Sequence, residues 1–165
     1  MYSSSTNTQA SFDQTTYTSN YIIQGSETKR FNKEGKLESI LNAKTLEHYE
    51  GLYITLFEQP HITFYPDQDD SGWVLHAQEG LLNHDNNMIL LDQQVVLESS
   101  RAEDPIQSLK TSVLDLNYDT MMAHSSERVD LMGRHMKLSG KGLLANLKTE
   151  YIYLQQEIKG IYENK

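Results

Sequence analysis

A spacing of 34 residues recurs along the sequence and limits the folds that the chain can adopt. A small residue returns at this interval, and in two units the apolar pair Val-x-Leu begins 18 positions after it. Similarity at a fixed period indicates a fold built from one supersecondary unit that stacks on copies of itself. The recurring residues are Ala43, Ala77, Thr111 and Ala145, and the pairs are Val95-x-Leu97 and Val129-x-Leu131.

The unit is better explained as two strands than as two helices. Its length matches a tetratricopeptide unit, but the Trp-Leu-Gly-Tyr pattern of that helical repeat is absent. Turn-forming Asp and Asn residues also fall in the middle of each unit, where a helix would run. We therefore predict four stacked hairpins, the last one shortened, that form an antiparallel sheet curled over one apolar face. A helical solenoid is the alternative.

Local patterns support strands over most of the chain. Trp73, Leu75 and Ala77 alternate with Val74 and His76, as expected for a strand with one buried face. Segments rich in Asp, Asn, Gly and Pro separate such stretches, and these residues form turns. The turn segments are 32–35, 66–72, 84–87 and 101–105.

Two stretches fit a helix as well as a strand. Leu147, Tyr151, Leu154 and Ile158 follow one another at helical spacing, and residues 37–49 contain good helix formers. By analogy with the other repeat units we expect 143–162 to be strand. A helical C-terminus remains the alternative.

The sequence divides into a polar leader and one domain. Residues 1–20 are nearly all Ser, Thr, Asn, Gln and Tyr and cannot bury enough apolar area to order themselves, so we expect a flexible leader. Residues 21–165 have the length of one domain. Neither a signal peptide nor an apolar run of about 18 residues is found, which suggests a soluble protein or one whose anchor was removed.

Charge and composition exclude several functions. The formal net charge is −9, from 14 basic and 23 acidic residues, which disfavours nucleic acid and anionic membrane as partners. The absence of cysteine excludes disulfides and thiolate metal sites, but it says nothing about the redox compartment.

No motif indicates an enzyme, a cofactor or a metal. Asp67-x-Asp69-x-Ser71-Gly72 resembles the start of a calcium loop, but its twelfth position is Gln78 instead of Glu, so an acidic turn is expected. The six histidines lack metal-ligand spacing. His124, Ser125 and Asp130 have the residue types of a catalytic triad but no nucleophile elbow.

In its ordered motifs the sequence resembles the LptC family, which belongs to the wider LptA/LptC/OstA-like group. The resemblance covers residues 21–162. The motifs are Gly35-Lys36-Leu37, Gln59-Pro60-x-Ile62, Trp73-x-Leu75-x-Ala77-x-x-Gly80, Ile89-x-Leu91, Val95-x-Leu97, Val129-x-Leu131-x-Gly133, Ser139-Gly140-x-Gly142-Leu143 and Gly160-x-Tyr162.

The resemblance implies an antiparallel β-jellyroll, or twisted boat, whose interior holds the acyl chains of lipopolysaccharide. It implies that the N-terminal edge meets the periplasmic domains of the LptB2FG transporter and that the C-terminal edge meets LptA. It also implies a periplasmic domain anchored to the inner membrane. Members normally begin with a membrane helix that this sequence lacks. A soluble LptA-like relative, or an adaptor domain that joins edges without holding lipid, is therefore the alternative, and a homodimer is possible.

Three sets of residues follow as candidates. They are an interior set, an edge set and two assembly glycines. For the interior set, the alternative to lipid binding is ordinary core packing. The glycines match those that family members carry at these points. The interior set is Leu41, Ala43, Trp73, Leu75, Ala77, Leu91, Val95, Leu97, Thr111, Val129, Leu131, Leu143 and Ala145; the edge set is Tyr21, Ile22, Ile23, Tyr151, Tyr153, Leu154 and Ile158; the assembly glycines are Gly35 and Gly133.

Overall fold

The computed structural model describes residues 18–65 and 72–163, and in these ranges the chain is an antiparallel sheet of eleven strands. A 3-10 turn at Glu50–Leu52 is the helical element of this part of the chain. The strands are β1 (Tyr21–Phe31), β2 (Leu37–Tyr49), β3 (Ile54–Glu58), β4 (His61–Phe64), β5 (Trp73–His76), β6 (Glu79–Asn83), β7 (Met88–Ser99), β8 (Ile106–Asn117), β9 (Met122–Gly133), β10 (Met136–Asn146) and β11 (Tyr151–Tyr162).

The predicted all-β class is confirmed, and both ambiguous stretches are strands. Residues 37–49 form β2, and the C-terminal stretch forms the hairpin of β10 and β11. The predicted leader lies mostly outside the described residues, as does most of the acidic turn at 66–72. Asn20, the last residue of that leader, already donates its backbone N–H to the His48 carbonyl at 2.7 Å.

The strands form a meander of hairpins, as the repeat predicts. The predicted shortening of the last hairpin is wrong, because β10 and β11 have 11 and 12 residues, against 12 each in β8 and β9. β3 and β4 together occupy one strand position of the sheet, which we call a row, because β2 pairs with β3 through 45–49 and with β4 through 39–42. β5 and β6 form the next row in the same way, against β7. The hairpins are therefore β2 with β3–β4, β5–β6 with β7, β8 with β9, and β10 with β11.

A line of irregular residues crosses the middle of the sheet, and we call it the crease. Gln59 N–H donates to the Gln78 carbonyl at 2.8 Å, and Gln78 N–H donates to the Gln93 carbonyl at 2.9 Å. The regular strand pairing is therefore interrupted at adjacent positions in neighbouring rows. Register shifts interrupt β7 to β11 near their middles. Because bulges bend strands, the crease folds the sheet into two facing halves. Along the crease, positive φ angles occur at Gly25 (67°), Gln59 (51°), Gln93 (67°), Gln94 (53°), Gly142 (87°) and Glu157 (52°).

The inward side chains of both halves form one apolar core. In β8 the buried positions are Leu109 and Thr111 before the bulge, then Leu114 and Leu116 after it. The bulge thus shifts the alternation by one residue and keeps apolar side chains inside on both sides. Burying each such leucine contributes roughly 1.5–3 kcal/mol.

The repeat residues do not all take the same place in their rows. Ala43, Ala77 and Thr111 lie beside the crease, whereas Ala145 lies beyond it, near the end of β10. The β9–β10 turn is short, so β10 begins nine residues before Ala145, while β8 begins five before Thr111. No helix in the described ranges is long and apolar enough to span a membrane.

Candidate functional site

A cleft of about 500 Å³ opens into the apolar interior at the β1 end of the sheet. Small-molecule sites typically enclose about 300–1,000 Å³, so this space suits part of an apolar chain. The half that contains β3 and β6 supplies most of its lining, including Tyr118 from the turn after β8, and the other half supplies residues 28–31, Ser39 and Leu41. The apolar side chains of its wall are Leu41, Leu46, Phe57 and Leu82.

Arg30 lies at the mouth of this cleft. Its Nη1 donates to the Tyr118 carbonyl oxygen at 3.1 Å, and its Nη2 lies 2.7 Å from Asp119 Oδ1. The guanidinium also lies 5.1 Å from the centroid of the Tyr118 ring, within range of a cation–π contact. We call this group the Arg30 clasp, because it joins β1 of one half to the β8–β9 turn of the other.

Electrostatics favours the charged form of the clasp. Hydrogen bonds from Asn87 and Arg30 lower the pKa of Asp119, so its carboxylate stays ionised. Burial raises the pKa of Tyr118 to about 12, although Arg30 opposes this shift, so its phenol stays neutral. The cleft therefore has apolar walls and a charged latch at its entrance.

Two histidines share one hydroxyl on the wall of the same cleft. Thr55 Oγ1 lies 3.0 Å from His48 Nδ1 and 2.7 Å from His84 Nε2. A hydroxyl has one proton, so Thr55 donates to one ring and accepts from the other. Tyr21 stacks on His48 at 5.0 Å between centroids. Desolvation and the neighbouring His48 lower the pKa of His84, against an opposing effect of Asp85.

The predicted interior residues all face inward and are at most 8% exposed. Leu41 lines the cleft, while Leu75, Leu97 and Val129 lie in the packed core. Most of the predicted interior residues are thus packed against one another, and lipid binding by these residues stays a prediction. Sequence reasoning missed Leu46, Phe57, Leu82 and the clasp as parts of one site. Long-range pairing brings these residues together, and no local motif signals it.

The two predicted edges are the free edges of the described sheet. β1 pairs only with β2, and β11 pairs only with β10. An unpaired strand edge is a template for strand addition. Leu154 differs from the other predicted edge residues, because its side chain is 9% exposed and faces inward opposite Leu143. The exposed edge side chains are Tyr21, Ile22, Ile23, Tyr151, Tyr153 and Ile158, at 43–60%.

The two predicted assembly glycines are required by the backbone for different reasons. Gly35 lies in the β1–β2 turn with a φ of 82°, which favours glycine. A Cβ on Gly133 would lie 2.6 Å from the Pro105 carbonyl oxygen and 2.8 Å from Met136 Cγ. Their role in assembly stays a prediction.

Nothing in the described residues suggests a metal centre. No group of three His, Asp or Glu side chains in 18–65 and 72–163 is arranged to hold an ion. The site is therefore defined by an apolar cleft, a charged latch and two strand edges, without a candidate reactive centre in this part of the chain.

Comparison with known proteins identifies relatives along nearly the whole chain. Residues 1–163 match the family described as lipopolysaccharide-assembly, LptC-related. The lipopolysaccharide export system protein LptC of Haemophilus influenzae is 24% identical over 160 residues, covering 87% of this chain and 76% of that protein. The Escherichia coli K12 LptC is 25% identical over 143 residues, covering 87% and 74%.

A solved structure confirms the fold class. The crystal structure of LptH, the LptA-homologous periplasmic component of lipopolysaccharide transport in Pseudomonas aeruginosa, superposes with a TM-score of 0.60. The match covers 76% of this chain and 95% of LptH at 9% sequence identity. The likeness at this identity concerns the fold.

Proposed function

The chain belongs to the LptC family of lipopolysaccharide-assembly proteins, and on that basis we propose that it holds lipopolysaccharide acyl chains between the two halves of its folded sheet. Export of lipopolysaccharide is the task of the family, so the chain is a transport component and not an enzyme. The observation that carries the proposal is the continuous apolar core, which extends from the open cleft beside β1 to Leu154 on β11.

The energetics suit a lipid that enters from the cleft. Each buried methylene gains roughly 0.8 kcal/mol, so a few acyl chains bind without a strong polar contact. Leu75 and Leu97 are at most 1% exposed, so the core leaves no free path beside them. The two halves must therefore move apart for a chain to pass beyond the cleft. Their apolar side chains then contact lipid instead of each other.

The two edges suggest how lipid is relayed. We propose that β1 adds to the periplasmic domains of the LptB2FG transporter and that β11 adds to LptA. Strand addition joins apolar interiors in register, because the partner continues the same sheet. Lipid then moves from the inner-membrane transporter, through the fold, to LptA. This places the domain in the periplasm, beside the inner membrane to which family members are anchored.

The second candidate function is an adaptor that assembles the bridge by edge pairing and does not hold lipid. The tight core around Leu75 and Leu97 favours it, because a packed interior needs no ligand. The two functions make different demands on Phe57, which lines the cleft, and on Tyr153, which is exposed on the edge strand β11.

Photo-crosslinking from single positions separates the two functions. A photoreactive residue at Leu41 or Phe57 is expected to capture lipopolysaccharide, and one at Tyr153 is expected to capture LptA. Lys44 is the control, because it lies on β2 beside Ala43 but is exposed to solvent. Protein adducts at Tyr153 without lipid adducts at Leu41 and Phe57 would leave the adaptor as the function.

A further inference from the structure

Basic side chains gather on the outward surface of the sheet beside its C-terminal edge. Lys110 on β8 pairs with Asp130 on β9, which pairs with Ser139 on β10, which pairs with Lys159 on β11. Directly paired residues of an antiparallel sheet face the same side. All of these side chains are therefore on the surface opposite the core. The basic residues, which we call the basic stripe, are Lys110, Arg128, Lys137, Lys141 and Lys159.

The stripe is unusual in so acidic a protein. Its one ion pair in the described residues joins Arg128 to Asp130 at 3.4 Å. The four lysines have no carboxylate within salt-bridge distance in residues 18–65 and 72–163, whereas Lys29 and Lys44 on β1 and β2 each have one. The net charge of the chain is −9, so four lysines on one face, without a carboxylate partner in the described part of the chain, form a local positive surface on an acidic protein.

Four of the five stripe residues, all but Lys141, line a shallow depression that also has apolar side chains. The depression measures about 480 Å³ and reaches Lys159 and Ile161 of the edge strand itself. Met132 is 46% exposed and Ile161 is 68% exposed. Exposed apolar groups ringed by charge are typical of a surface that binds a partner.

We propose that the basic stripe is the docking surface for a protein whose added strand carries carboxylates on its outward face. This inference rests on the proposed addition of a partner strand at β11. A strand added there places its side chains about 4.5–5.5 Å from those of β11 at directly opposed positions. The fit is electrostatic, because Lys159 on β11 itself meets a carboxylate at this distance, while Lys137 and Lys141 on β10 lie one strand spacing of about 4.8 Å further away.

The stripe also predicts a sequence pattern in the partner. The residue opposite Lys159 is acidic, and the residue opposite Ile161, two positions away, is apolar. A slip by one residue would turn both side chains to the other face, so the pair fixes the register of addition. A bilayer requires no such alternation, and the location of Lys159 on the pairing strand itself favours a strand as the partner.

Charge reversal tests the stripe on the full chain. The probe is the LptA protein of the same organism, and the affinity is measured at low and high salt. The double variant K137E/K159E is expected to bind at least tenfold more weakly at low salt and to lose most of its salt dependence. The control is Lys33→Glu, an exposed lysine of the β1–β2 turn, which is expected to bind normally. Thermal unfolding checks that both variants fold.

Three outcomes would overturn the inference, and only one of them also contradicts the proposed relay. If a photoreactive residue at Tyr153 captures LptA while K137E/K159E binds with unchanged affinity, the edge is used and the stripe is not. If Tyr153 captures nothing, β11 is not the joining edge and the relay fails as well. Replacement of the acidic LptA residue opposite Lys159 by lysine is expected to restore binding to K137E/K159E. Failure of this rescue would also count against direct pairing.

Discussion

Arg30 and Asp119 are 89 residues apart in sequence, and their side chains meet at 2.7 Å across the mouth of the apolar cleft. Their side chains are 35% and 53% exposed. An ion pair this open to solvent contributes about 0–1 kcal/mol. The clasp is therefore a weak link between β1 and the β8–β9 turn, and the lipid binding proposed above requires little free energy to release it.

Removal of the clasp is expected to loosen β1. Arg30→Ala loses the ion pairs with Asp119 and Glu38, the bond to the Tyr118 carbonyl and the cation–π contact, and we expect the free energy of unfolding to fall by about 1–2 kcal/mol. Hydrogen exchange measures the local effect, with faster exchange in β1 and little change in β9. Lys29→Ala is the matched control, because its side chain is exposed beside Glu27. Equal exchange in the two variants would show that Arg30 does not hold the mouth.

A bulky side chain in the cleft is expected to compete with lipid. Leu82 lines the cleft, so Leu82→Trp fills part of its 500 Å³ and is expected to weaken lipopolysaccharide binding about tenfold. The control is Leu81→Trp, the neighbouring residue of β6, which lines an outer groove instead. Equilibrium binding of labelled lipopolysaccharide compares the two. Equal affinities would mean that lipid does not use the cleft.

Acid is expected to destabilise the fold through His84. Its folded pKa is below the ordinary value of about 6.5, so the unfolded chain takes up the proton first as the pH falls. The stabilisation is therefore complete above pH 6.5 and is lost as the pH falls toward the folded pKa. Urea unfolding between pH 7.5 and 5 measures this slope.

Substitution identifies the part of the pH dependence of stability that is due to His84. His84→Gln keeps a polar partner for Thr55 but cannot titrate, so its stability should fall less on acidification. His135→Gln is the control, because His135 is exposed. A wild-type slope in the His84 variant would assign the acid sensitivity to other groups.

Gly133 is expected to tolerate no side chain. A Cβ there would lie 2.6 Å from the Pro105 carbonyl, so Gly133→Ala must displace the backbone, and overpacking of this kind costs about 1–3 kcal/mol. The control is Gly51→Ala, where a Cβ meets nothing within 4 Å. Thermal unfolding compares them. Equal stabilities of the two variants would show that the backbone at Pro105 and Gly133 moves apart without a cost in stability.

Much of the fold was predictable because its signals are local. The alternation around Trp73 and the repeat of Ala43, Ala77 and Thr111 predicted hairpins. Ala43 and Thr111 lie in the first strands of their hairpins, whereas Ala77 lies just after β5, at the break before β6. The repeat also decided the C-terminal stretch in favour of strand, against its helical spacing. In β11 the inward position is Leu154, which packs opposite Leu143.

The crease and the cleft were not predictable, because neither has a local signal. Gln93 and Gln94 both adopt positive φ without being glycine, so tertiary pairing and not residue type sets the bend. The cleft depends on where the bent halves meet, and that contact joins Arg30 to a turn 89 residues away. The thirteen interior residues were predictable as inward-facing, but the space beside them was not.

The distance between the two halves of the sheet tests the central claim most directly. The chain has no cysteine, so single cysteines at Lys29 and Thr120 can be spin-labelled specifically on the two sides of the mouth. Pulsed electron paramagnetic resonance then measures their separation without and with lipopolysaccharide. If acyl chains lie between the halves, the distribution shifts to longer distances when lipid binds. An unchanged distribution in a sample that demonstrably contains bound lipid would contradict the claim.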